Sequence, residues 1–359
     1  MKRKLKNILV TGGSGFIGSN FIHYLFSDTD FTGRIINVDK LTYAGNPENL
    51  ADIEDEFGGS RYLFEKTDIC DVDRLKEIFH KCGIDTVVNF AAESHVDRSI
   101  VGPEEFIQTN IMGTFNLLEI ARECWENQDK ESVLFHHIST DEVYGSVENG
   151  ECFYEHTCYQ PNSPYSASKA SSDHLVRAYH KTYGLPVTIS NCSNNYGPYQ
   201  FPEKLIPLMI TNILEGQQLP VYGDGRNIRD WLYVEDHCSA VWQILKDGKT
   251  SETYNIGGEN EWENIKLVNI LCEMIAEING KDKHCYKRLI TYVKDRPGHD
   301  RRYAINCDRL KSRLGWKQKY HFREGLDKTI KWYINHTGWV NRVKSGEYRK
   351  WIDKNYSGR

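Results

Sequence analysis

A glycine-rich turn near the start of the chain constrains the fold more than any other feature. An apolar strand-like run at residues 8–10 leads into GSGFIG (residues 13–18), which fits the pattern G-x-G-x-x-G. Gly12, Gly15 and Gly18 also fit the variant G-x-x-G-x-x-G. Glycines between a strand and a helix let the backbone approach a pyrophosphate, which the helix N-terminus then attracts. The pattern predicts a dinucleotide site.

The first half of the chain alternates strand and helix patterns. RIINVDK, RYLFEKTD, DTVVNFAAE, VLFHHIST and LPVTISN are β-rich runs, and helix-like segments stand between several of them. In DVDRLKEIFHKCG, Asp71 is a predicted N-cap and Gly83 a predicted end of the helix. Such alternation favours an α/β fold with a doubly wound, Rossmann-like parallel sheet.

The pattern loosens beyond about residue 195, where loops carry much of the Pro and Gly. We predict an NAD-binding domain over residues 1–195, with residues 228–260 returning to it, and a smaller, mixed substrate lobe over residues 196–359. One helix of the lobe is predicted from an apolar stripe. Its members are Leu267, Ile270, Leu271, Met274, Ile275 and Ile278.

Composition narrows the classes of partner. The 359 residues carry a net charge of -5, which gives no electrostatic support for nucleic-acid binding. Ten cysteines stand singly without any C-x-x-C, so neither disulfides nor a metal site is predicted. No apolar run reaches the ~18–20 residues of a membrane helix, and the short apolar run near the start is no signal peptide. We expect a cytoplasmic protein.

Acidic residues after the second and third strands refine the dinucleotide prediction. Asp39 ends the second strand, 21 positions after Gly18. A carboxylate there accepts hydrogen bonds from both ribose hydroxyls and repels a 2′-phosphate, which favours NAD over NADP. Asp68 and Ile69, at the end of the third strand, are predicted to meet the adenine.

A tyrosine and a lysine four residues apart indicate proton-transfer chemistry. Tyr165 and Lys169 follow Ser163, a predicted N-cap, and Pro164, which suits the first helical position. The helix then presents both side chains on one face. An ammonium beside a phenol favours the phenolate and lowers the pKa of the tyrosine, so that Tyr165 becomes a usable base.

Two adjacent carboxylates follow the fifth strand. They stand in STDEVYG, where Thr140 precedes Asp141 and Glu142. Neighbouring like charges repel each other. Either the pair is solvated in a loop, or it belongs to a site that needs one carboxyl protonated and the other ionised.

Together these motifs resemble the extended short-chain dehydrogenase/reductase family, and the acid pair resembles its nucleotide-sugar 4,6-dehydratase branch. The similarity covers nearly the whole chain. It includes DKLTYAGN, AAESHVDRS, SPYSASKASSDHLVRAY, CSNNYGPYQFPEKLIPL, YGDGRNIRDWLYVEDH, YNIGGENEWEN and DRPGHDRRYAIN.

The resemblance implies a dehydration with no net redox change. Tyr165 would take the proton of the sugar C4 hydroxyl, oriented by Thr140, while NAD takes the hydride from C4. Glu142 would then remove the C5 proton and Asp141 would protonate the departing C6 hydroxyl, after which the hydride returns to C6. Lys169 would complete the catalytic set.

The resemblance also implies two sets of binding residues and no metal. The expected cofactor residues are Gly12, Gly15, Phe16, Ile17, Gly18, Asp39, Lys40, Leu41, Thr42, Asp68, Ile69, Phe90, Ala91, Ala92, Ser94, Thr109, Tyr165, Lys169 and Asn195. The expected nucleotide-sugar residues are Ser94, Thr140, Asn194, Lys204, Leu205, Pro220, Val221, Tyr222, Arg229, Asn264, Arg296 and His299.

The sequence leaves several alternatives open. dTDP-glucose is the expected substrate, with UDP-glucose and UDP-N-acetylglucosamine as alternatives, because Asn191 stands where this family usually has Arg. An epimerase would give Asp141 and Glu142 no task, and a silent NAD-binding scaffold would not need an intact Thr140, Tyr165 and Lys169. The resemblance further implies a homodimer formed through helices around residues 104–126 and 165–183.

Overall fold

A computed structural model describes residues 3–148 and 150–345 of the chain. The strands are β1 (Asn7–Thr11), β2 (Arg34–Asp39), β3 (Tyr62–Lys66), β4 (Thr86–Asn89), β5 (Leu134–Thr140), β6 (Val187–Cys192), β7 (Asn194–Tyr196), β8 (Leu219–Tyr222), β9 (Ile228–Tyr233), β10 (Thr253–Ile256), β11 (Glu261–Glu263) and β12 (Ile290–Val293).

The α-helices alternate with these strands in the first half and dominate the end of the described chain. They are α1 (Phe16–Ser27), α2 (Ala51–Phe57), α3 (Val72–Cys82), α4 (Val96–Val101), α5 (Glu104–Phe106), α6 (Thr114–Cys124), α7 (Pro164–Tyr183), α8 (Leu205–Glu215), α9 (Val234–Asp247), α10 (Asn264–Ile278), α11 (Asp308–Leu314), α12 (Phe322–Asn335) and α13 (Thr337–Lys344). A π-helical segment, Ile107–Gly113, joins α5 to α6.

The central sheet has the strand order β10-β6-β5-β4-β1-β2-β3, and all its pairings are parallel. Helices cover both faces. One face packs Phe21 of α1 and Val241 of α9, and the other packs Leu75 of α3, Leu117 of α6 and Val176 of α7. The predicted Rossmann-like, doubly wound sheet is confirmed. In this arrangement ligands bind beyond the carboxyl ends of the strands, where the strand order reverses between β1 and β4.

Local sequence sets the ends of the helices. The Asp71 carboxylate accepts a hydrogen bond of 3.2 Å from the Arg74 amide at the start of α3, and Gly83 ends it with a φ of 61°. At α7, Ser163 caps the helix in a capping box with Ser166, and Pro164 occupies the first turn. Each cap joins residues within four positions of each other in its own helix. The predicted starts of both helices are confirmed.

The later part of the chain forms a second core. It contains β7, β9 and β11 in one small sheet, β8 and β12 in another, and the inward face of α10. Within the predicted stripe of α10, Leu267 and Leu271 are fully buried whereas Ile278 is 39% exposed. β10 and α9 belong to the first sheet and its core. The domain division at residue 195 stays a prediction, and residues 346–359 lie outside the described part.

Within the described part of the chain, no helix combines the length and apolar character that a membrane crossing requires. In the same residues, no group of three or more His, Cys, Asp or Glu side chains is arranged to hold a metal ion. All ten cysteines carry free thiols.

Candidate active site

The glycine turn between β1 and α1 is tightly packed. Gly12 has a φ of 68°, and a Cβ there would lie 2.8 Å from the backbone of Ala91. A Cβ on Gly18 would lie 2.3 Å from the carbonyl oxygen of Gly12. Both positions therefore require glycine, because only glycine leaves room for this close approach of backbone to backbone. The α1 N-terminus begins at Gly15 without a side-chain cap, as a phosphate-binding turn requires.

Asp39 stabilises the glycine turn through hydrogen bonds to the backbone. Its Oδ2 accepts a hydrogen bond of 3.0 Å from the Ser14 amide, and its Oδ1 accepts one of 2.8 Å from the Leu41 amide. Burial raises the pKa of Asp39, while the two backbone donors lower it. Each carboxylate oxygen has a further lone pair, so the group can still accept hydrogen bonds from ribose hydroxyls.

One cleft along the carboxyl ends of the strands brings most predicted residues together. The predicted cofactor residues line it except Leu41, whose φ is 58°. The lining members are Gly12, Gly15, Phe16, Ile17, Gly18, Asp39, Lys40, Thr42, Asp68, Ile69, Phe90, Ala91, Ala92, Ser94, Thr109, Tyr165, Lys169 and Asn195.

The cleft fits NAD on its own chemistry. The glycine cradle faces it, and Asp39 lies in the same cleft. Thr109 Oγ1 and Asn195 Oδ1 are buried there without a hydrogen-bond partner in the described residues. Buried polar atoms of this kind normally have partners, so these two atoms are suited to a polar ligand.

The acid pair lies at the carboxyl end of β5, in the short 3-10 turn Asp141–Tyr144. The turn begins at Thr140, whose hydroxyl accepts a hydrogen bond of 3.2 Å from the Glu142 amide. Asp141 is only 2% exposed, and its Oδ2 has no hydrogen-bond partner in the described residues. The alternative of a solvated loop pair is therefore excluded.

The two carboxyl groups differ in their electrostatic surroundings. Burial raises the pKa of Asp141 well above its ordinary range, and the charge of Glu142 raises it further. Burial also raises the pKa of Glu142, but Arg296, Arg229 and Lys204 all oppose that rise. The arrangement favours a protonated Asp141 beside an ionised Glu142.

Lys169 is 4% exposed and donates a hydrogen bond of 2.7 Å from Nζ to the Ile138 carbonyl. Burial lowers the pKa of Lys169 to about 8. The pKa of Tyr165 is raised well above its usual value, by burial first and by the charge of Glu142 second, while a hydrogen bond with Thr140 lowers it. The predicted lowering of the tyrosine pKa is thus wrong for the protein alone, because burial and the charge of Glu142 raise that pKa.

The predicted nucleotide-sugar residues fall into two groups. Ser94, Thr140, Asn194 and Lys204 line the cleft, and Lys204 Nζ donates a hydrogen bond of 2.9 Å to the Ser94 carbonyl. The remaining predicted residues lie outside that lining, at the N-terminal ends of α8 and α10, on β8 and β9, and in the loop after β12. They are Leu205, Pro220, Val221, Tyr222, Arg229, Asn264, Arg296 and His299.

Two residues of the second group, Tyr222 and Arg296, contact the carboxylate of Asp97. The Tyr222 hydroxyl donates a hydrogen bond of 2.8 Å to one oxygen of Asp97, and Arg296 lies 3.4 Å from the other. The Arg229 guanidinium stacks on the Tyr303 ring at 4.2 Å. Val221, in contrast, is 2% exposed and packs in the second core.

Asn191 places an amide directly behind Thr140. Its Nδ2 donates to the Thr140 carbonyl at 3.1 Å and to the Tyr159 hydroxyl at 3.3 Å. A cation is still present beside Asn191, because Arg177 of α7 donates a hydrogen bond of 2.7 Å to the Tyr159 hydroxyl that Asn191 also contacts.

Sequence reasoning missed Glu203, which also lines the cleft. Burial raises its pKa to about 7, and the Tyr43 hydroxyl donates a hydrogen bond of 3.1 Å to it. Phe201, also in the lining, makes an edge contact with the Tyr43 ring. The only sequence signal for Phe201 and Glu203 was their proximity to Lys204 in QFPEKL. The sequence does not distinguish a buried glutamate from an exposed one in such a segment.

Known proteins share both the sequence and this architecture. The chain is 56% identical to dTDP-glucose 4,6-dehydratase 1 of Escherichia coli strain K12, over 98% of this chain and 99% of that enzyme. The crystal structure of dTDP-glucose 4,6-dehydratase from Bacillus anthracis with NAD has 47% identity and a TM-score of 0.83, covering 94% of this chain and 100% of that one. The Streptomyces venezuelae dTDP-glucose 4,6-dehydratase, solved with NAD and dTDP, has 44% identity and a TM-score of 0.86 at the same coverage.

The similarity extends to a family profile that spans most of the chain. Residues 9–329 match the family described as GDP-mannose 4,6 dehydratase. This range includes the glycine turn, the acid pair, Tyr165 and Lys169, and the cations that face Glu142. The chain therefore belongs to the GDP-mannose 4,6 dehydratase family.

Proposed function

We propose that the chain converts dTDP-glucose into dTDP-4-keto-6-deoxyglucose and water. The observation that carries the proposal is the buried acid pair in the same cleft as Tyr165, Lys169 and the glycine turn. An enzyme that only oxidised or epimerised C4 would need the tyrosine and the lysine but not two carboxyl groups in unlike protonation states. Relatives more than half identical carry the same activity in their names.

Tyr165 acts as the base in the first step. It takes the proton of the C4 hydroxyl, and Thr140, with which it shares a hydrogen bond, orients that hydroxyl. NAD held in the cleft would supply a positively charged ring that can accept the C4 hydride and, once reduced, can return it to C6. Because burial and the charge of Glu142 hold the pKa of Tyr165 high, cationic charge from Lys169 and the cofactor is needed to favour the phenolate.

Glu142 and Asp141 divide the elimination between them. The C4 ketone acidifies the C5–H bond, and Glu142 removes this proton and gives it back to C5 when C6 receives the hydride. Asp141 donates its proton to the C6 hydroxyl, which leaves as water. Each group enters the step in the state that its surroundings favour, since three cations face Glu142 while burial and the neighbouring charge keep Asp141 protonated.

Lys204, Arg229 and Arg296 bind the diphosphate in this proposal. Guanidinium groups form two parallel hydrogen bonds with phosphate oxygens, which a lysine cannot do. Arg296 Nε is buried without a partner in the described residues and is therefore suited to such a ligand. The preference for thymidine over uridine rests on the relatives.

The active form is proposed to be a homodimer. Exposed apolar side chains gather on the π-helical segment, α6 and α7, where Ile107 is 47% exposed, Met112 41% and Tyr183 53%. Large apolar residues exposed together favour an interface between subunits. The charge substitution Met112→Glu should shift the protein from dimer to monomer in sedimentation, whereas Tyr154→Phe, at an exposed loop position, should not.

The function is tested with three substrates. The purified protein is incubated separately with dTDP-glucose, UDP-glucose and UDP-N-acetylglucosamine, without added NAD. Product is followed by the alkaline absorbance of the 4-keto-6-deoxy sugar and by the loss of one water in the mass spectrum. Turnover of dTDP-glucose supports the proposal and shows that bound NAD is recycled.

Two other results contradict the proposal at different points. Turnover of a UDP-sugar alone retains the dehydration and overturns the choice of nucleotide. Absence of product from all three substrates, even after NAD is added, favours the silent scaffold.

A further inference from the structure

A sealed polar cluster lies behind Lys169, on the side away from the cleft. Its centre is Asp173, one turn further along α7 and fully buried. Asp173 Oδ2 accepts a hydrogen bond of 2.9 Å from the Ser139 hydroxyl and one of 2.7 Å from the Tyr159 hydroxyl. Asp173 Oδ1 makes no hydrogen bond with the described residues. A buried carboxylate in such a place needs a positive partner.

The hydrogen-bond network fixes the orientation of His137, which lies between the charges. Thr11 Oγ1 lies 2.6 Å from Asn89 Oδ1, so the Asn89 amide group points its Nδ2 donor at His137 Nδ1, 3.2 Å away. Since Nδ1 accepts, the proton of the neutral ring is on Nε2. His137 Nε2 lies 3.5 Å from Asp173 Oδ1 and 3.5 Å from Lys169 Nζ.

The charges around Lys169 come from three elements. On α7, the charge of Asp173 favours the ammonium form of Lys169. Tyr165 and Arg177 are other titratable groups on that helix. From β6, the Cys192 thiol also favours it. From β5, His137 faces the ammonium and stays uncharged, because burial first and Lys169 second lower its pKa well below the ordinary value.

Asp173 is thus the carboxylate that offsets the buried ammonium. Burial disfavours the charged form of Lys169, and among the charges that oppose this effect Asp173 is the largest. The reverse also holds, since Arg177 and Lys169 are the charges that most favour the carboxylate of Asp173. Removing Asp173 would therefore leave the Lys169 ammonium without its largest favourable charge in a low-dielectric interior, whereas removing Lys169 would leave Asp173 the charge of Arg177.

We infer that Asp173 is a positioning residue for the C4 oxidation, holding Lys169 protonated where it donates to the Ile138 carbonyl. The inference rests on the proposed function, because it needs Lys169 to be charged when Tyr165 takes its proton. Asp173 does not line the cleft, whereas Lys169 does, so Asp173 acts through Lys169.

The test is the pH dependence of kcat/KM for dTDP-glucose. In the unchanged protein, the rate should fall as the pH rises through about 8, where Lys169 loses its proton. In Asp173→Asn the ammonium loses its partner, so this fall should move to lower pH by at least about one unit. Ser139→Ala is the matched control, because it removes one hydrogen bond to the same carboxylate and keeps its charge.

An unchanged pH limb in Asp173→Asn, or an equal shift in Ser139→Ala, overturns the inference. Absence of turnover by the unchanged protein at every pH would instead contradict the proposed function, so the two failures are distinguishable.

If Asp173→Asn does not fold, a double-mutant cycle of thermal stability tests the inference instead. Thermal unfolding is measured for Lys169→Met, for Asp173→Asn and for the double variant. The double variant should melt above the temperature expected from the two separate losses, and should fold even where Asp173→Asn does not, because it lacks the buried ammonium that Asp173→Asn leaves without a partner. Additive losses, or a double variant that also fails to fold, overturn the inference.

Discussion

The hydroxyl of Tyr43 donates a hydrogen bond of 3.1 Å to the carboxylate of Glu203, 160 residues further along the chain. Tyr43 belongs to the loop after β2, and its neighbours Thr42 and Ala44 line one wall of the cleft. Glu203 also lines the cleft, next to Lys204. The hydrogen bond therefore joins two segments of the cleft lining that are remote in sequence.

Tyr43→Phe should accelerate the release of NAD. At pH 8, above the pKa of about 7 of Glu203, the bond connects a hydroxyl to a charged group. Its loss should raise the release rate roughly ten- to a hundredfold, since hydrogen bonds to charged groups contribute about 1.5–3 kcal/mol. Exchange of bound NAD for labelled NAD gives the rate. Tyr154→Phe, on an exposed loop, is the control, and equal rates in both variants contradict the role of the bond.

Asp141→Asn should bind NAD and oxidise C4 but eliminate water slowly. The amide keeps the shape of the side chain and lacks the acidic proton, and loss of a general acid costs roughly 10²–10⁴ in rate. NADH absorbance should therefore accumulate after dTDP-glucose is added. Turnover at the rate of the unchanged enzyme would exclude Asp141 as the acid.

Tyr165→Phe should stop the reaction one step earlier. Without the phenol there is no base for the C4 hydroxyl, so no NADH absorbance should appear even in a single turnover. The ring remains to pack against Phe106, with which Tyr165 makes an edge contact at 6.3 Å. NAD content and thermal unfolding should be unchanged, and a transient NADH signal would contradict the assignment of Tyr165.

His237→Leu should stabilise the protein, and more so in acid. His237 is fully buried, neither ring nitrogen has a hydrogen-bond partner in the described residues, and burial lowers its pKa to about 3. An unfolded histidine takes up its proton near pH 6.5, so the folded state loses stability as the pH falls from about 6.5 towards 3. Leucine removes this loss and the unpaired polar atoms.

Urea unfolding of His237→Leu and of the unchanged protein at pH 7.5 and at pH 5.5 measures this stabilisation. We expect a gain of about 1 kcal/mol in the free energy of unfolding at pH 7.5 and roughly 1 kcal/mol more at pH 5.5. His284→Leu, at an exposed position, controls for the added apolar surface. An equal gain at both pH values would show that His237 does not titrate as its burial requires.

Several features could be predicted from the sequence because their causes are local. The glycine turn, the alternation of strands and helices, and the caps at Asp71 and Ser163 all depend on residues a few positions apart. The clustering of the cofactor residues follows from the parallel sheet, since the strands end at one edge.

The different surroundings of Asp141 and Glu142, in contrast, were decided by tertiary structure. The two residues are adjacent in sequence, and only packing brings Arg229 and Arg296 from far along the chain to face Glu142 while it seals Asp141 from water. The raised pKa of Tyr165, the bond between Tyr43 and Glu203, and the buried position of Asp173 have the same origin. Burial and charge depend on distance in space, which local sequence does not specify, so the sequence determined which groups are present and the folded chain determined the burial and charges that shift their pKa values.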